Sequence, residues 1–306
     1  MKVLIATEKP FAPVASKAIA EVIEEAGMTP VFLEKYASKD ELLAAVGDAD
    51  ALIIRSDKVD NDVLNAANKL KIVVRAGAGY DNVDLDSATN HGVSVQNTPG
   101  QNSNAVAELV FGMAVMAIRN MFNGTSGTEL KDKTLGIQAF GQVGRNVARI
   151  AKGFGMEITA LDPYCPDEAM EQAGVKPVHS VEDLYRNNQV VSIHIPATAE
   201  TRGSIGKDLL LLMPKNGLVI NTARKEVIDE AGLAEALRER TDLKYVADVA
   251  PDSAAEMKAE FGDRVFFTPK KMGAQTAEAN INAGIAAAKQ VVAFLKDGVD
   301  RFRVNK

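Results

Sequence analysis

Short apolar runs rich in β-branched residues punctuate the first third of the chain, at residues 3–6, 31–33, 51–55, 72–75 and 93–95. Between them apolar residues recur at helical spacing. The first such stretch carries Ile19, Val22 and Ile23 and ends at Gly27, and Ser38 with Glu41 makes a capping box ahead of Leu42 and Leu43. This alternation predicts a parallel sheet with helices on both faces. Beyond the break at Thr98-Pro99-Gly100, residues 102–120 read as a helix that is apolar nearly all round, and therefore buried on most sides, followed by a polar loop over 123–133. Further strands are expected at 135–140, at a run ending in Asp162, and at 190–194, 217–221, 245–248 and 265–267, which implies a second parallel sheet. The last helix, 276–297, carries Ile281, Ile285, Ala288, Val292 and Leu295 on one stripe. It is long enough to return to the first domain, so that domain is expected to be discontinuous: 1–98 plus 280–306, with 99–279 as the second.

The stretch 134–162, TLGIQAFGQVGRNVARIAKGFGMEITALD, reads as strand, tight turn, helix and a second strand closed by an acid. Gly141 lets backbone approach a phosphate, Gly144 lets the helix pack on the strand, and the free N–H groups at the helix start, from Gln142 and Val143 onward, face the anion. A carboxylate at Asp162 can accept hydrogen bonds from both ribose hydroxyls of NAD and would repel the extra phosphate of NADP. The first glycine of the G-x-G-x-x-G pattern is replaced by Ala139, which suits the turn only if its φ is negative. The expected fold class is α/β, with two Rossmann-like or flavodoxin-like doubly wound parallel-sheet domains and a cleft between them.

Composition narrows the partners. Lys plus Arg number 35 against 41 Asp plus Glu, a formal charge of −6, which gives no electrostatic footprint for nucleic acid or an acidic membrane. An anionic substrate therefore needs local positive charge. The single Cys165 excludes an internal disulfide framework, fits a reducing compartment and leaves no metal cluster to build. The opening MKVLIATEKP is too short in apolar residues for a signal-peptide core, and no apolar run is long enough to span a bilayer, so a cytoplasmic location is expected. Two strand ends in the first domain are chemically loaded: Arg55-Ser56 after ALII, and Arg75-Ala-Gly-Ala-Gly79 after KIVV. Arg55 can grip a phosphate or carboxylate bidentately, and the N–H groups of Gly77 and Ala78 can hold a carboxylate.

The segments RAGAGYDNVDLDSAT (75–89), NTPGQNSNAVAEL (97–109), LGIQAFGQVG (135–144), HIPATAETRGSIG (194–206), NTARKEVIDE (221–230) and VADV (246–249) together resemble the D-isomer-specific 2-hydroxyacid dehydrogenases, over essentially the whole chain. Within that family the first two, with IIRSDKV (53–59), are most similar to members that oxidise D-3-phosphoglycerate to 3-phosphohydroxypyruvate for serine biosynthesis. The resemblance implies an NAD-dependent enzyme acting on a small phosphorylated 2-hydroxy acid, and a homodimer to which the helix from Asn102 contributes. Residue by residue it places the backbone of Gln142 and Val143 at the pyrophosphate, Asp162 on the adenosine ribose, Pro196 beside the cofactor, Thr222 and Asp248 near the nicotinamide end, and Ala78 near it from the other domain, with Gly273 also among the cofactor-binding residues. Arg55, Ser56, Gly77 and Asn102 are the substrate-binding candidates. Arg224 matches the arginine that holds the substrate's carboxylate and carbonyl. The chain stops soon after its last helix, so no serine-binding regulatory domain is expected.

Two family positions are changed. Where the pattern has a catalytic histidine in H-x-G-x-x-T-x-E-A, this chain reads Lys271-Met-Gly-Ala-Gln-Thr-Ala-Glu-Ala. Counting from Gly273, Thr276 and Glu278 puts Lys271 on that position; counting forward from Thr268-Pro269 puts Lys270 there. The glutamate that normally pairs with the histidine is replaced by Ser253, with Asp252 and Glu256 as candidate substitutes. To act as a base near neutral pH, a lysine amine must lower its pKa by roughly 2 to 3 from about 10.4, which neighbouring cations and burial can supply. Two other activities compete: a glyoxylate or hydroxypyruvate reductase, and a non-catalytic NAD-binding scaffold or corepressor.

Overall fold

The computed structural model describes residues 1–306, and the chain divides into two units, Met1–Asn102 with Gln275–Lys306, and Ser103–Ala274. The first unit contains β1 (Lys2–Thr7), α1 (Pro13–Glu25), β2 (Thr29–Glu34), α2 (Lys39–Val46), β3 (Ala51–Ile54), α3 (Asn61–Ala66), β4 (Ile72–Arg75), α4 (Leu85–Asn90) and β5 (Ser94–Asn97). The second contains α5 (Ser103–Ile118), β6 (Thr134–Gln138), α6 (Gln142–Gly153), β7 (Glu157–Leu161), α7 (Asp167–Gln172), β8 (Lys176–Pro177), α8 (Val181–Arg186) and β9 (Val190–Ile193). It continues through α9 (Lys207–Leu212), β10 (Leu218–Asn221), α10 (Glu230–Glu239), β11 (Lys244–Ala247), α11 (Ala254–Phe261) and β12 (Val265–Phe267), before α12 (Ala277–Asp297) rejoins the first unit.

The first sheet runs in the order β2-β1-β3-β4-β5, parallel throughout. Its central strands are buried on both sides, and alternate residues go to opposite layers. Leu4, Leu52 and Ile54 pack with Leu42, Val46 and Val63 of α2 and α3; Val3, Ile5 and Ile53 pack with Ile19 and Ile23 of α1 and Ala287 and Val291 of α12. α1 starts on Pro13, whose missing N–H is no loss in a first turn. α2 has the Ser38–Glu41 capping box, and Thr276 caps α12 through the N–H of Ala279. Gly284 lets α12 lie close on α1, since a Cβ there would fall 2.7 Å from Ile19 Cδ1. The edge strand β5 is covered by the chain end: Gln96 bridges Arg303 antiparallel, and the Asn305 side chain accepts from Val95 N and donates to Val93 O.

The second sheet runs β12-β11-β10-β9-β6-β7-β8, again all parallel, with its own two layers: α5, α6 and α7 on one face and α8 to α11 on the other. Three details differ from the sequence expectation. α5 stops at Ile118, two residues short, because Asn120, Met121 and Phe122 take φ of 51°, 54° and 55°, a left-handed turn in which helical bonding cannot continue. The Lys244 ammonium closes that helix end, donating to Ala117 O at 2.7 Å and Asn120 Oδ1 at 2.8 Å, and burial lowers its pKa. The strand expected over 135–140 ends at Gln138, and the two-residue edge strand β8 was not anticipated. No helix is long and apolar enough to cross a membrane.

Candidate active site

In the second unit the strand order reverses between β6 and β9, the place where open α/β sheets bind ligands. The turn after β6 begins with Ala139 at φ +81°, the positive value the replaced glycine would have supplied freely. Gly141 is the N-cap of α6 and offers no side-chain acceptor; the first intrahelical bond runs from Arg145 N to Gly141 O at 3.0 Å. The N–H groups of Gln142, Val143 and Gly144 therefore point out of the helix start toward any anion in front of it. A Cβ on Gly141 would meet nothing within 4 Å, whereas one on Gly144 would sit 2.3 Å from Ala139 O. The first glycine leaves open space for a ligand; the second is needed for helix and strand to touch. Asp162 is fixed by accepting from Phe140 N and Tyr164 N, both at 2.8 Å. Arg145, not singled out in the sequence, lies over the Phe140 ring at 4.8 Å and donates to Cys165 Sγ at 3.2 Å.

The ends of β9, β10 and β11 build a second cluster. His194 Nε2 meets Ser192 Oγ at 2.9 Å and its Nδ1 meets Thr222 Oγ1 at 3.4 Å; burial pushes its pKa down to about 3. It is neutral at working pH. Asn221 shapes the NTAR turn, accepting from Ala223 N at 2.9 Å and donating to Arg224 O at 3.0 Å. The Arg224 guanidinium is half-buried and donates only to Ala223 O at 3.0 Å, with no carboxylate beside it. Pro196 lies exposed past β9.

Asp248 is fully buried, and both its oxygens are committed. Oδ1 accepts from Met272 N at 2.6 Å and Thr268 Oγ1 at 3.1 Å, and Oδ2 accepts from Gly273 N at 2.7 Å. The carboxylate thus pins the 268–273 loop on which Lys270 and Lys271 stand exposed. A Cβ on Gly273 would fall 2.9 Å from Asp248 Oδ2, so glycine is required for this contact. The candidate substitutes for the missing glutamate are engaged elsewhere. Asp252 pairs with Lys225, Ser253 Oγ donates to Glu230 Oε2 at 2.6 Å, and Glu256 lines a separate groove of about 380 Å³ with Glu230, Arg238 and Glu260.

In the first unit the order reverses between β1 and β3, and Arg55 stands there. Its Nη1 donates to Lys9 O at 2.9 Å and Pro10 O at 3.0 Å, its Nη2 donates to Asn280 Oδ1 at 2.6 Å, and the Phe11 ring lies 5.2 Å from the guanidinium carbon. Arg75, at the end of β4, was marked in the sequence as part of a chemically loaded strand end but given no binding role. Its Nε is buried without a partner, and burial, then the nearby Arg55 charge, lowers its pKa. Neither arginine has an ion pair. Thr98 Oγ1, just after β5, is likewise buried and unpartnered. One expectation is corrected here: the Gly77 N–H does not face a ligand, because it donates to Arg75 O at 2.8 Å. Gly77 instead leaves room for Arg75, since a Cβ would overlap the guanidinium. Ala78 O accepts from Asn97 Nδ2 at 2.7 Å; Ser56 is exposed, and Asn102 lies half-buried in the turn before α5.

A family model described as D-isomer specific 2-hydroxyacid dehydrogenase, NAD binding domain, matches residues 110–270. Among curated proteins the chain is similar to the D-3-phosphoglycerate dehydrogenase of Methanocaldococcus jannaschii, 38% identical over 300 residues, covering 93% of this chain and 57% of that protein. The namesake from Archaeoglobus fulgidus is 34% identical over 322 residues, covering 100% and 59%. The chain thus spans less than two thirds of the length of these relatives. Among solved structures it resembles the NAD+-bound 3-phosphoglycerate dehydrogenase of Entamoeba histolytica, with 48% identity, a TM-score of 0.87, and coverage of 100% of this chain and 99% of that one.

Proposed function

Because the chain belongs to the D-isomer specific 2-hydroxyacid dehydrogenase family, we propose that it oxidises D-3-phosphoglycerate to 3-phosphohydroxypyruvate with NAD, the first step of serine biosynthesis. The residues fit the dinucleotide: an uncapped helix start, open space at Gly141 and a fixed carboxylate at Asp162. When bound, NAD supplies the hydride acceptor. Gln142, Val143 and Gly144 would hold the pyrophosphate through backbone N–H groups, and Asp162 the ribose. Arg224 grips the substrate carboxylate and polarises the oxygen at C2. Lys271 takes the proton from the 2-hydroxyl as C2 is oxidised, and in the reverse direction its ammonium returns that proton.

The observation that carries the choice of substrate is the pair Arg55 and Arg75, two partly buried guanidinium groups, neither ion-paired with a carboxylate although Asp57 and Asp81 lie near them. A phosphate supplies the missing charge, which a glyoxylate or hydroxypyruvate reductase would not require. Reduction of NAD in the presence of 3-phosphoglycerate, with NADP in parallel, tests the activity. Lys271→Ala and Lys270→Ala, assayed across pH, test the base. Only the free amine can accept the proton, so oxidation is expected to speed up with rising pH, and Lys271→Ala to remove that limb and cut turnover by about 100-fold or more. If neither variant alters the pH profile, the lysines only attract the phosphate and water takes the proton.

A second reading rests on the replaced histidine and glutamate: an NAD-binding scaffold, favoured by tight NADH binding without turnover. We also infer a homodimer involving α5, which light scattering of the eluted protein would check, and a cytoplasmic location, supported by the lone free Cys165.

A further inference from the structure

Arg55 is held by three acceptors, none of them charged: the carbonyls of Lys9 and Pro10 and the Asn280 side-chain amide. Arg238 and Arg240, by contrast, are met by carboxylates, Glu260 and Asp242, whereas the exposed Arg149, like Arg55, is met by an amide oxygen, that of Asn104. The amide orientation of Asn280 is determined by its other end, because Nδ2 donates to Thr276 O at 2.7 Å and so Oδ1 must face Arg55. Thr276 caps α12, and α12 is pressed on α1 at Gly284, where Phe11 also packs beneath the guanidinium. The anchor is therefore rigid, 225 residues away in sequence from the group it orients.

We propose that Asn280 is a specificity-determining positioning residue: a neutral acceptor that fixes the Arg55 fork while leaving it, like Arg75, without an ion-pair partner and so available to the substrate's phosphate. A carboxylate at residue 280 would still accept from Arg55, without the bond to Thr276 O, but would occupy its charge and repel the phosphate. This inference rests on the reading that Arg55 and Arg75 take the phosphate.

Asn280→Asp, nearly isosteric and placed in the first turn of α12 where a negative charge suits the helix, separates orientation from charge. Its KM for 3-phosphoglycerate and its inhibition constant for inorganic phosphate are expected to rise by about tenfold or more, while KM for NAD and kcat/KM for D-glycerate, which lacks the phosphate, stay near wild type. Asn280→Ala, which removes the anchor but adds no charge, is expected to fall between the two. Circular dichroism establishes that each variant is folded. Arg55→Ala is the control for the underlying reading: if it leaves KM for 3-phosphoglycerate unchanged, the phosphate assignment itself is wrong. If Arg55→Ala raises that KM but Asn280→Asp does not, or if Asn280→Asp weakens phosphate and D-glycerate alike, the role given to Asn280 is overturned.

Discussion

Ala139 sits at φ +81°, a region an L-residue enters at a cost of about 1–2 kcal/mol because its Cβ crowds the carbonyl. Glycine removes that crowding but adds freedom to the unfolded chain, offsetting roughly 0.5–1 kcal/mol of the gain. Ala139→Gly is therefore expected to stabilise the second unit by about 0.5–1 kcal/mol and raise its Tm by a few °C at most, about 2–4 °C, read by urea titration and calorimetry. An unchanged or lowered midpoint would mean that the turn relaxes around the methyl group. The sequence left the sign of this φ open, because an A-x-G-x-x-G string is compatible with either. The neighbouring glycines were readable for the opposite reason: contact at Gly144 and openness at Gly141 follow from what a strand-turn-helix unit must do at those two places.

At the scale of elements, what was legible is what is local. β-branched runs gave the strands, the Ser38–Glu41 spacing gave the cap of α2, and the length of the last helix allowed its return to the first unit. What was not legible depends on contacts between distant segments. Glu230 reaches Ser253 across 23 residues, and Asn280 reaches Arg55 across 225, and no periodicity or motif encodes either distance. The left-handed turn after α5 is of the same kind: Gly127 allows it, since a Cβ there would lie 2.3 Å from Ile118 O. His194, just past β9, opens one of the segments that carry the family resemblance, but its protonation state needed the burial. That state has a consequence for stability. Its folded pKa of about 3 lies below the ordinary 6.5, so between these values the unfolded chain holds a proton that the folded chain lacks. The contribution is complete above pH ~6.5 and is lost as pH falls toward 3. Because His194 as a residue is only partly buried, we expect the loss between pH 7.5 and pH 5 to be about 1–2 kcal/mol, measured by urea unfolding at the two values. His194→Gln, which cannot protonate, should show a shallower pH dependence than wild type; equal slopes would assign the acid sensitivity to other groups.

At the scale of the molecule, each unit has its own sheet, its own pair of hydrophobic layers and its own cluster of ligand-ready groups at a strand-order reversal. The arginine pair without an ion-pair partner is in the first unit, and the uncapped helix start is in the second. Ligands of different chemistry should therefore be felt in different places. A ligand present at 100 times its Kd stabilises the segment it binds by about 2.7 kcal/mol, enough to slow amide exchange there by roughly 100-fold. In hydrogen exchange read by mass spectrometry, NAD alone should protect the turn after β6, the first turn of α6 and the ends of β7, β9 and β10. Inorganic phosphate alone should protect the ends of β3 and β4 and the first turn of α12, and leave α6 unchanged. The chain has no tryptophan and its five tyrosines are spread over both units, so optical unfolding would not separate these effects, whereas peptide-resolved exchange does. Phosphate protection at the start of α6 in place of the β3 and β4 ends would mean that the anion prefers the helix N-terminus to the arginine pair. The phosphate end of the substrate would then have to be reassigned to the second unit.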